Sequence, residues 1–459
     1  MTTKLHQEKR TTMGCIFLQS VSSWFVKTFK DGGLLGWAVL GLFSSWIAWI
    51  GLIKGLAVML PTLQEQFDAS TWLVGWMIAI IDASSSISAL FASPLREKLG
   101  VRVVVMVSGL LVSGSLIASA FATSLSQITV LLTLAAGPAV GCSLVVSKEM
   151  IGRCFTESSA TAFGVGILGG SIAFVTCVPL TQFFLDIYGW RGTMLLLGGI
   201  LSHLAVCGAL MKEPAVKRNN DEYQTVALNE DIGDDEEATS NSRCCSWFNS
   251  VHSFISQTFK LGLFSLPAFW LIIFMYNIWM MMNIAWVIYF VAYTTVSKGF
   301  SLGDASNCVV SYGIGRILSS ITVGPLVKNF KVLSLSNSAW LGLGLFLSSL
   351  YYLIDPWLMS FWPVLVAAFI YGYFTVMVHI QFDLVVIESF GADRMGFFLG
   401  WNGFFTGVTG LFTLYFPGLI YDHFGSYTLA LILMGGVQLL TVVALLVLVW
   451  LQRRRPASL

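Results

Sequence analysis

The sequence predicts an all-α polytopic membrane protein, twelve membrane-spanning helices in two related six-helix halves. Three observations carry this. The chain of 459 residues is 56% hydrophobic and only 11% charged, whereas a soluble domain carries about 25% charged residues. Apolar stretches of about 20 residues, the length that crosses a bilayer core as a helix, recur between short polar breaks. Two short motifs also return in the second half of the chain at nearly the same offset.

Taken in order, residues 1–32 form a basic lead-in expected on the cytoplasmic side. The run Cys15-Ile16-Phe17-Leu18 is too short for the apolar core of a signal peptide, and no small-residue cleavage site follows it. The N-terminal half occupies 33–211, with spans over 33–59, 72–95, 102–122, 126–147, 160–184 and 191–211. Residues 212–260 are polar, and their middle, from Asn229 to Glu237, is acidic and free of aromatics. Such a stretch cannot bury enough surface to fold alone, which predicts a disordered cytoplasmic linker. Within it, residues 247–259 alternate at helical spacing and fit a segment lying along the inner membrane surface. The C-terminal half occupies 261–451, with spans over 264–294, 304–327, 335–354, 358–382, 395–417 and 424–451, and 452–459 form a cytoplasmic tail.

Basic residues fix the orientation. With both termini inside, 21 of the 25 Lys and Arg residues fall on the inner side, Lys148 and Arg153 among them in an inner loop. Only Arg191 and Lys298 fall outside, the asymmetry expected when basic flanks resist translocation. Lys54 and Arg316 lie inside spans. The net charge of +1 makes no case for nucleic acid, leaving the bilayer and a small solute as partners. The 8 cysteines show no Cys-x-x-Cys pair, which argues against a metal or disulfide framework. Adjacent Cys244 and Cys245 are candidates for palmitoylation. No phosphate-cradling loop and no catalytic constellation occurs, so neither an enzyme, nor an ATP-driven pump, nor a cofactor is expected.

The repeat is explicit. Tyr188-Gly189-Trp190-Arg191-Gly192-Thr193 returns as Phe424-Gly425-Ser426-Tyr427-Thr428, each before the last helix of its half. Pro94-Leu95-Arg96-Glu97-Lys98 returns as Pro325-Leu326-Val327-Lys328-Asn329 at the end of each second helix. The offsets, 236 and 231 residues, nearly agree. Two six-helix halves with a solute site between them is the architecture of the major facilitator superfamily. More specifically, Asp31-Gly32-Gly33, the Tyr188 to Gly192 turn with Leu197-Gly198-Gly199, Gly208-Ala209-Leu210-Met211, and Gly418-Leu419-Ile420-Tyr421-Asp422 resemble the monocarboxylate transporter family, solute carrier family 16. The resemblance implies a plasma-membrane symporter of small organic anions, with a proton as candidate co-passenger and a single-span glycoprotein as candidate ancillary partner.

Polar groups held in spans mark the candidate site, because a charged side chain at a helix centre costs roughly 2.5–3.5 kcal/mol on insertion scales. Lys54 is a candidate anion-attracting ammonium, or else a lysine reaching for the interface. Arg316 stays charged when buried and can grip a carboxylate with two parallel hydrogen bonds. The resemblance implies substrate-binding roles for both. It also implies an aspartate one turn before the arginine, where this chain has Tyr312, which enters the substrate-binding set by position. Asp82 can substitute as proton acceptor, since a carboxylate in low dielectric takes up a proton more readily, or it pairs statically with Lys54 or a neighbouring helix. His379 and Asp383, one turn apart, form a polar relay or a structural pair. Tyr373, Trp286 and Tyr289 are expected on the cavity wall. Two further departures, Cys154-Phe155-Thr156-Glu157 in place of a basic cluster and Gly33-Leu34-Leu35-Gly36-Trp37 at the first span, mark a divergent member. Its expected activity is alternating-access transport of a carboxylate-bearing solute. The alternatives are a facilitative carrier of amino-acid-like zwitterions and a non-transporting sensor or scaffold.

Overall fold

The structure, a computed structural model, describes residues 34–69, 71–155, 158–212, 258–329, 336–413 and 416–454. The Asp31-Gly32-Gly33 motif, the acidic linker, Cys244, Cys245 and nearly all of the 247–259 segment lie outside them.

Helices make up almost all of the described chain. In the N-terminal half, α1 runs Leu34–Phe67, and α2 (Thr71–Ser88) passes through a tight turn into α3 (Ala92–Leu99). α4 (Val101–Ser119) follows, and α5 (Leu125–Leu131) continues through a π turn into α6 (Gly137–Cys154). α7 (Ser159–Leu201) and α8 (His203–Leu210) end this half. The C-terminal half holds α9 (Pro267–Lys298), α10 (Leu302–Asn329), α11 (Asn337–Ile354), α12 (Phe361–Phe390), α13 (Ala392–Thr413), α14 (Phe416–Phe424) and α15 (Tyr427–Arg454).

Ten stretches of the described residues are long and apolar enough to cross a membrane. One of these, Ser159–Leu210, has 52 residues, about 78 Å of helix against a bilayer core of roughly 30 Å. It is two crossings joined at Gly189, whose φ of 65° and ψ of −179° leave helical geometry. A side chain is strained at positive φ, so glycine is what permits the reversal. Its counterpart in the second half, Gly425, has φ of 66°, so the repeat seen in sequence is a repeat of backbone conformation. α13, 22 residues long, adds a further crossing and accounts for the expected twelve. Along α4, Val103, Val107, Leu110, Leu111 and Ile117 are exposed at helical spacing, a stripe suited to lipid rather than water.

The end of α1 near Gly41 packs on Met211, and the ends of α12 and α15 meet through Gln452 and Ser389. We call the face where α1 begins and α15 ends the terminal face. Glycines bring the halves together toward it: a β-carbon on Gly164 of α7 would lie 2.4 Å from the Ser320 carbonyl oxygen of α10. Near that contact the Ser171 and Ser320 hydroxyls are 3.2 Å apart. Ion pairs then join α6 to the C-terminal half, Lys148 to Asp383 at 3.0 Å and Arg153 to Asp393 at 3.4 Å. These positions correct the expectation that Lys148 and Arg153 belong to an inner loop. α6 continues to Cys154, and within it Lys148 is buried.

A candidate solute cavity between the halves

Lys54 lies well into α1 because that helix continues to Phe67, beyond the predicted end of the first span. Arg316 lies midway along α10. The two helices belong to different halves, and between the halves sits a cavity of about 420 Å³. Volumes of roughly 300–1,000 Å³ are usual for small-molecule sites. α1, α2 and α7 form one wall, and α9, α10 and α12 the other. Trp46, Trp49, Phe174 and Trp279 supply aromatic surface, while Lys54, Asp82, Asn283, Arg316 and His379 supply polar groups.

Both cations stand near one ring. Lys54 Nζ stands 4.8 Å from the Phe174 ring centre and Arg316 Cζ stands 5.8 Å from it. A cation–π contact is worth about 0.5–2 kcal/mol, which holds the heads in place without cancelling their charge. The Arg316 Nη1 group donates to the Tyr312 hydroxyl at 3.1 Å, and its Nε is buried without a hydrogen-bond partner. Among the described residues, no carboxylate lies within ion-pair distance of Lys54 or Arg316. Asp82 lines the same cavity, but its Oδ1 accepts from Trp49 Nε1 at 3.0 Å. The static partner foreseen for Asp82 is therefore an indole of α1 rather than the Lys54 ammonium.

The remaining candidates separate. His379 lines the cavity floor, with its Nε2 2.9 Å from Lys148 Nζ. Asp383 lies behind it and is tied to the same ammonium. The expected pair on one face of α12 is thus a three-residue cluster completed from the other half. Tyr312 does not line the cavity; it is fully buried and touches the site from behind, through Arg316, Asn283 and the Phe174 ring. Tyr373 is likewise displaced, its hydroxyl 3.0 Å from Thr322 Oγ1. The helical period accounts for this: Thr375, Val376 and His379 form the cavity face of α12, and a residue two before Thr375 points away from it. Trp286 is buried in a separate aromatic cluster, where its indole donates to the Tyr351 hydroxyl at 2.9 Å. Tyr289 borders a small apolar pocket beside Tyr427.

A second, smaller cavity of about 110 Å³ lies on the other side of Trp46 and His379, which line both. Ser85, Ser86, Lys148, Tyr276 and Asn402 face into it. Trp46 and His379 meet edge-on with centres 5.2 Å apart and, with Trp49 and Met280, form the wall shared by the two spaces.

Sequence reasoning missed Trp49, Phe174, Asn283 and Lys148. For Asn283 a signal existed, since it is one of two asparagines interrupting the apolar and aromatic stretch from Pro267 to Tyr293 in α9. For Lys148 the signal was its position just after the apolar run ending at Val146 and beside a second charged residue, Glu149. Trp49 and Phe174 carried none, because aromatics make up 14% of the chain.

The sequence profile of the Major Facilitator Superfamily matches residues 38–331. Rat monocarboxylate transporter 12 is 26% identical over 418 residues, covering 88% of this chain and 83% of its own length. Mouse monocarboxylate transporter 11 is 36% identical over 189 residues, 40% of this chain and 42% of its own. Human monocarboxylate transporter 1 is 34% identical over 186 residues, 40% and 37% respectively. Among solved structures, the E. coli fucose:proton symporter superposes with a TM-score of 0.63, covering 89% of this chain and 98% of its own, at 13% identity, a likeness of fold alone. The resemblance to monocarboxylate transporters read from the sequence is borne out by these relatives.

Proposed function

From the premise that the chain belongs to the Major Facilitator Superfamily, we propose that it is a secondary transporter that carries a small carboxylate-bearing solute between the halves by alternating access. One observation carries this reading. Lys54 and Arg316 both line the cavity, and no described carboxylate pairs with either. Buried charge without a partner is costly, so an arriving carboxylate that neutralises the two heads lowers the cost of closing the cavity over them. Arg316 offers the bidentate grip and Lys54 a mobile point charge. The halves then rock, breaking the contacts of Lys148 with Asp383 and of Arg153 with Asp393, and the solute leaves through the terminal face. The bias of basic residues supports a cytoplasmic terminal face, and the plasma membrane is the location this reading assigns.

The test is uptake of radiolabelled pyruvate and phenylpyruvate into cells expressing the full chain, at two external pH values, against Arg316→Ala. Loss of uptake in the variant supports the anion site; unchanged carboxylate uptake overturns it. Asp82 in the same cavity favours a second reading, in which the carboxylate also bears an amine that Asp82 receives. Radiolabelled phenylalanine in the same assay separates the two readings: the amine is required if phenylalanine is taken up and phenylpyruvate is not. Solute binding without flux would favour the sensor.

A further inference from the structure

Between the solute cavity and the terminal face lies the smaller cavity, and its polar lining consists mostly of hydrogen-bond donors. Lys148 Nζ is 2.9 Å from His379 Nε2 and 3.0 Å from Asp383 Oδ1. An ammonium carries three N–H donors, so one is left over on a head that lines this cavity. Trp46 Nε1 is buried with no hydrogen-bond partner, and the centre of the Trp46 ring stands 5.9 Å from Lys148 Nζ. One small ligand can therefore meet both groups. Asn402 accepts from Asn277 through Oδ1, while its own Nδ2 donates to no described residue. Ser85 and Ser86 contribute the serine hydroxyls, and no Asp or Glu lines the space. Further along α6, Glu149 pairs with Arg96 and Arg153 and accepts from Ser93. That cluster closes the end of the cavity nearest the terminal face.

Buried donors without acceptors are costly, and a carboxylate is a ligand made of acceptors. The volume of about 110 Å³ equals that of three or four waters at roughly 30 Å³ each, which an acid of about three carbons fills. Leu144, Val145, Met280 and Leu399 supply apolar surface for its carbon chain. Resting on the reading that the chain carries a carboxylate, we propose that the smaller cavity is a second carboxylate site on the release route. It receives a short-chain acid from Arg316 and Lys54 and holds it against Lys148, Trp46 and Asn402 until the halves part. An acid with an aromatic ring, such as phenylpyruvate, exceeds this volume and occupies the first site alone. The second site thus separates short acids from bulky ones after the first has accepted both.

Equilibrium dialysis of radiolabelled pyruvate against the purified full chain in detergent counts the sites. Two pyruvates per chain are expected, one of them lost in Arg316→Ala and the other in Leu144→Phe, whose ring fills the smaller cavity and leaves Lys148 its partners. Radiolabelled phenylpyruvate should bind once, and not at all in Arg316→Ala. A single pyruvate that is lost in Arg316→Ala and kept in Leu144→Phe overturns the second site and leaves the first standing. A single pyruvate with the opposite pattern supports the second site and overturns the first. Absence of binding overturns both. Should Leu144→Phe fail to fold, Asn402→Leu, close in size, tests the same point by removing one donor to a charged ligand. It is expected to weaken the second pyruvate about tenfold or more and leave the first unaltered. Two affinities both unchanged in folded Asn402→Leu overturn the assignment to the smaller cavity.

Discussion

Opening at the terminal face should be governed by the Lys148–Asp383 pair, and Lys148→Ala is the perturbation that tests this. The two groups are 3.0 Å apart with side chains 7% and 1% exposed, and they belong to different halves. Removing one member of a buried pair costs about 3–5 kcal/mol, because the other is left charged and dry. That cost falls on the state closed at the terminal face, since in the open state the halves part and Asp383 meets water. A bias of about 3 kcal/mol moves the equilibrium roughly a hundredfold toward the open state. Ser86→Cys places a thiol in the smaller cavity beneath the Trp46–His379 partition. In that background the rate of modification by an impermeant thiol reagent supplied at the terminal face is expected to rise by up to this factor with Lys148→Ala and with Asp383→Ala. The double variant should rise no further, because the second substitution removes the group that the first left unpaired. Unchanged labelling in either single variant, or independent and additive effects of the two, would refute the idea that this pair holds the face shut.

Arg316→Lys should retain charge but lose the planar two-point grip, weakening apparent affinity for pyruvate by about tenfold or more while leaving folded yield unaltered. Trp49→Phe removes the donor to Asp82 and costs about 1 kcal/mol of stability, and thermal unfolding in detergent would register it. Tyr373→Phe should leave uptake within twofold, since its hydroxyl bonds to Thr322 outside the cavity; a large loss of uptake would return Tyr373 to the site. Gly141→Ala should abolish folded yield, because the new β-carbon would sit 1.9 Å from the Ser85 carbonyl oxygen and the packed α2–α6 contact has no room to relax.

The fold was legible because a bilayer imposes a length and a polarity on every crossing. The turn at Gly189 and its echo at Gly425 were likewise legible, since both need a backbone conformation that glycine adopts without strain. Span ends were less so: α6 carries Lys148, Glu149 and Arg153 beyond its apolar run, and hydropathy alone ends the helix before them. What makes those residues tolerable is partners on other helices, Arg96 for Glu149 at 3.1 Å and Asp383 for Lys148, and partners are a tertiary fact. The same limit governs the site. Lys54, Arg316 and Asp82 could be singled out by the cost of charge in a span, but Tyr373 was assigned by residue type, and the face it occupies depends on how α12 is rotated against α10.

The exchange of an acid for Tyr312 gains meaning from what surrounds that tyrosine. Its hydroxyl receives hydrogen bonds from Arg316 and Asn283; Asn283 also reaches Tyr371, and Tyr371 meets Tyr352 at 2.6 Å. Tyr352 in turn donates to the Met282 carbonyl oxygen. Every member of this chain is neutral, and most are fully buried. Such a network fixes the guanidinium as firmly as a carboxylate would, since satisfied buried hydrogen bonds rigidify their members, yet it leaves the positive charge unspent. An aspartate at this place would orient Arg316 and cancel its charge at once. Separating orientation from neutralisation leaves the charge of Arg316 available to a carboxylate that enters the cavity.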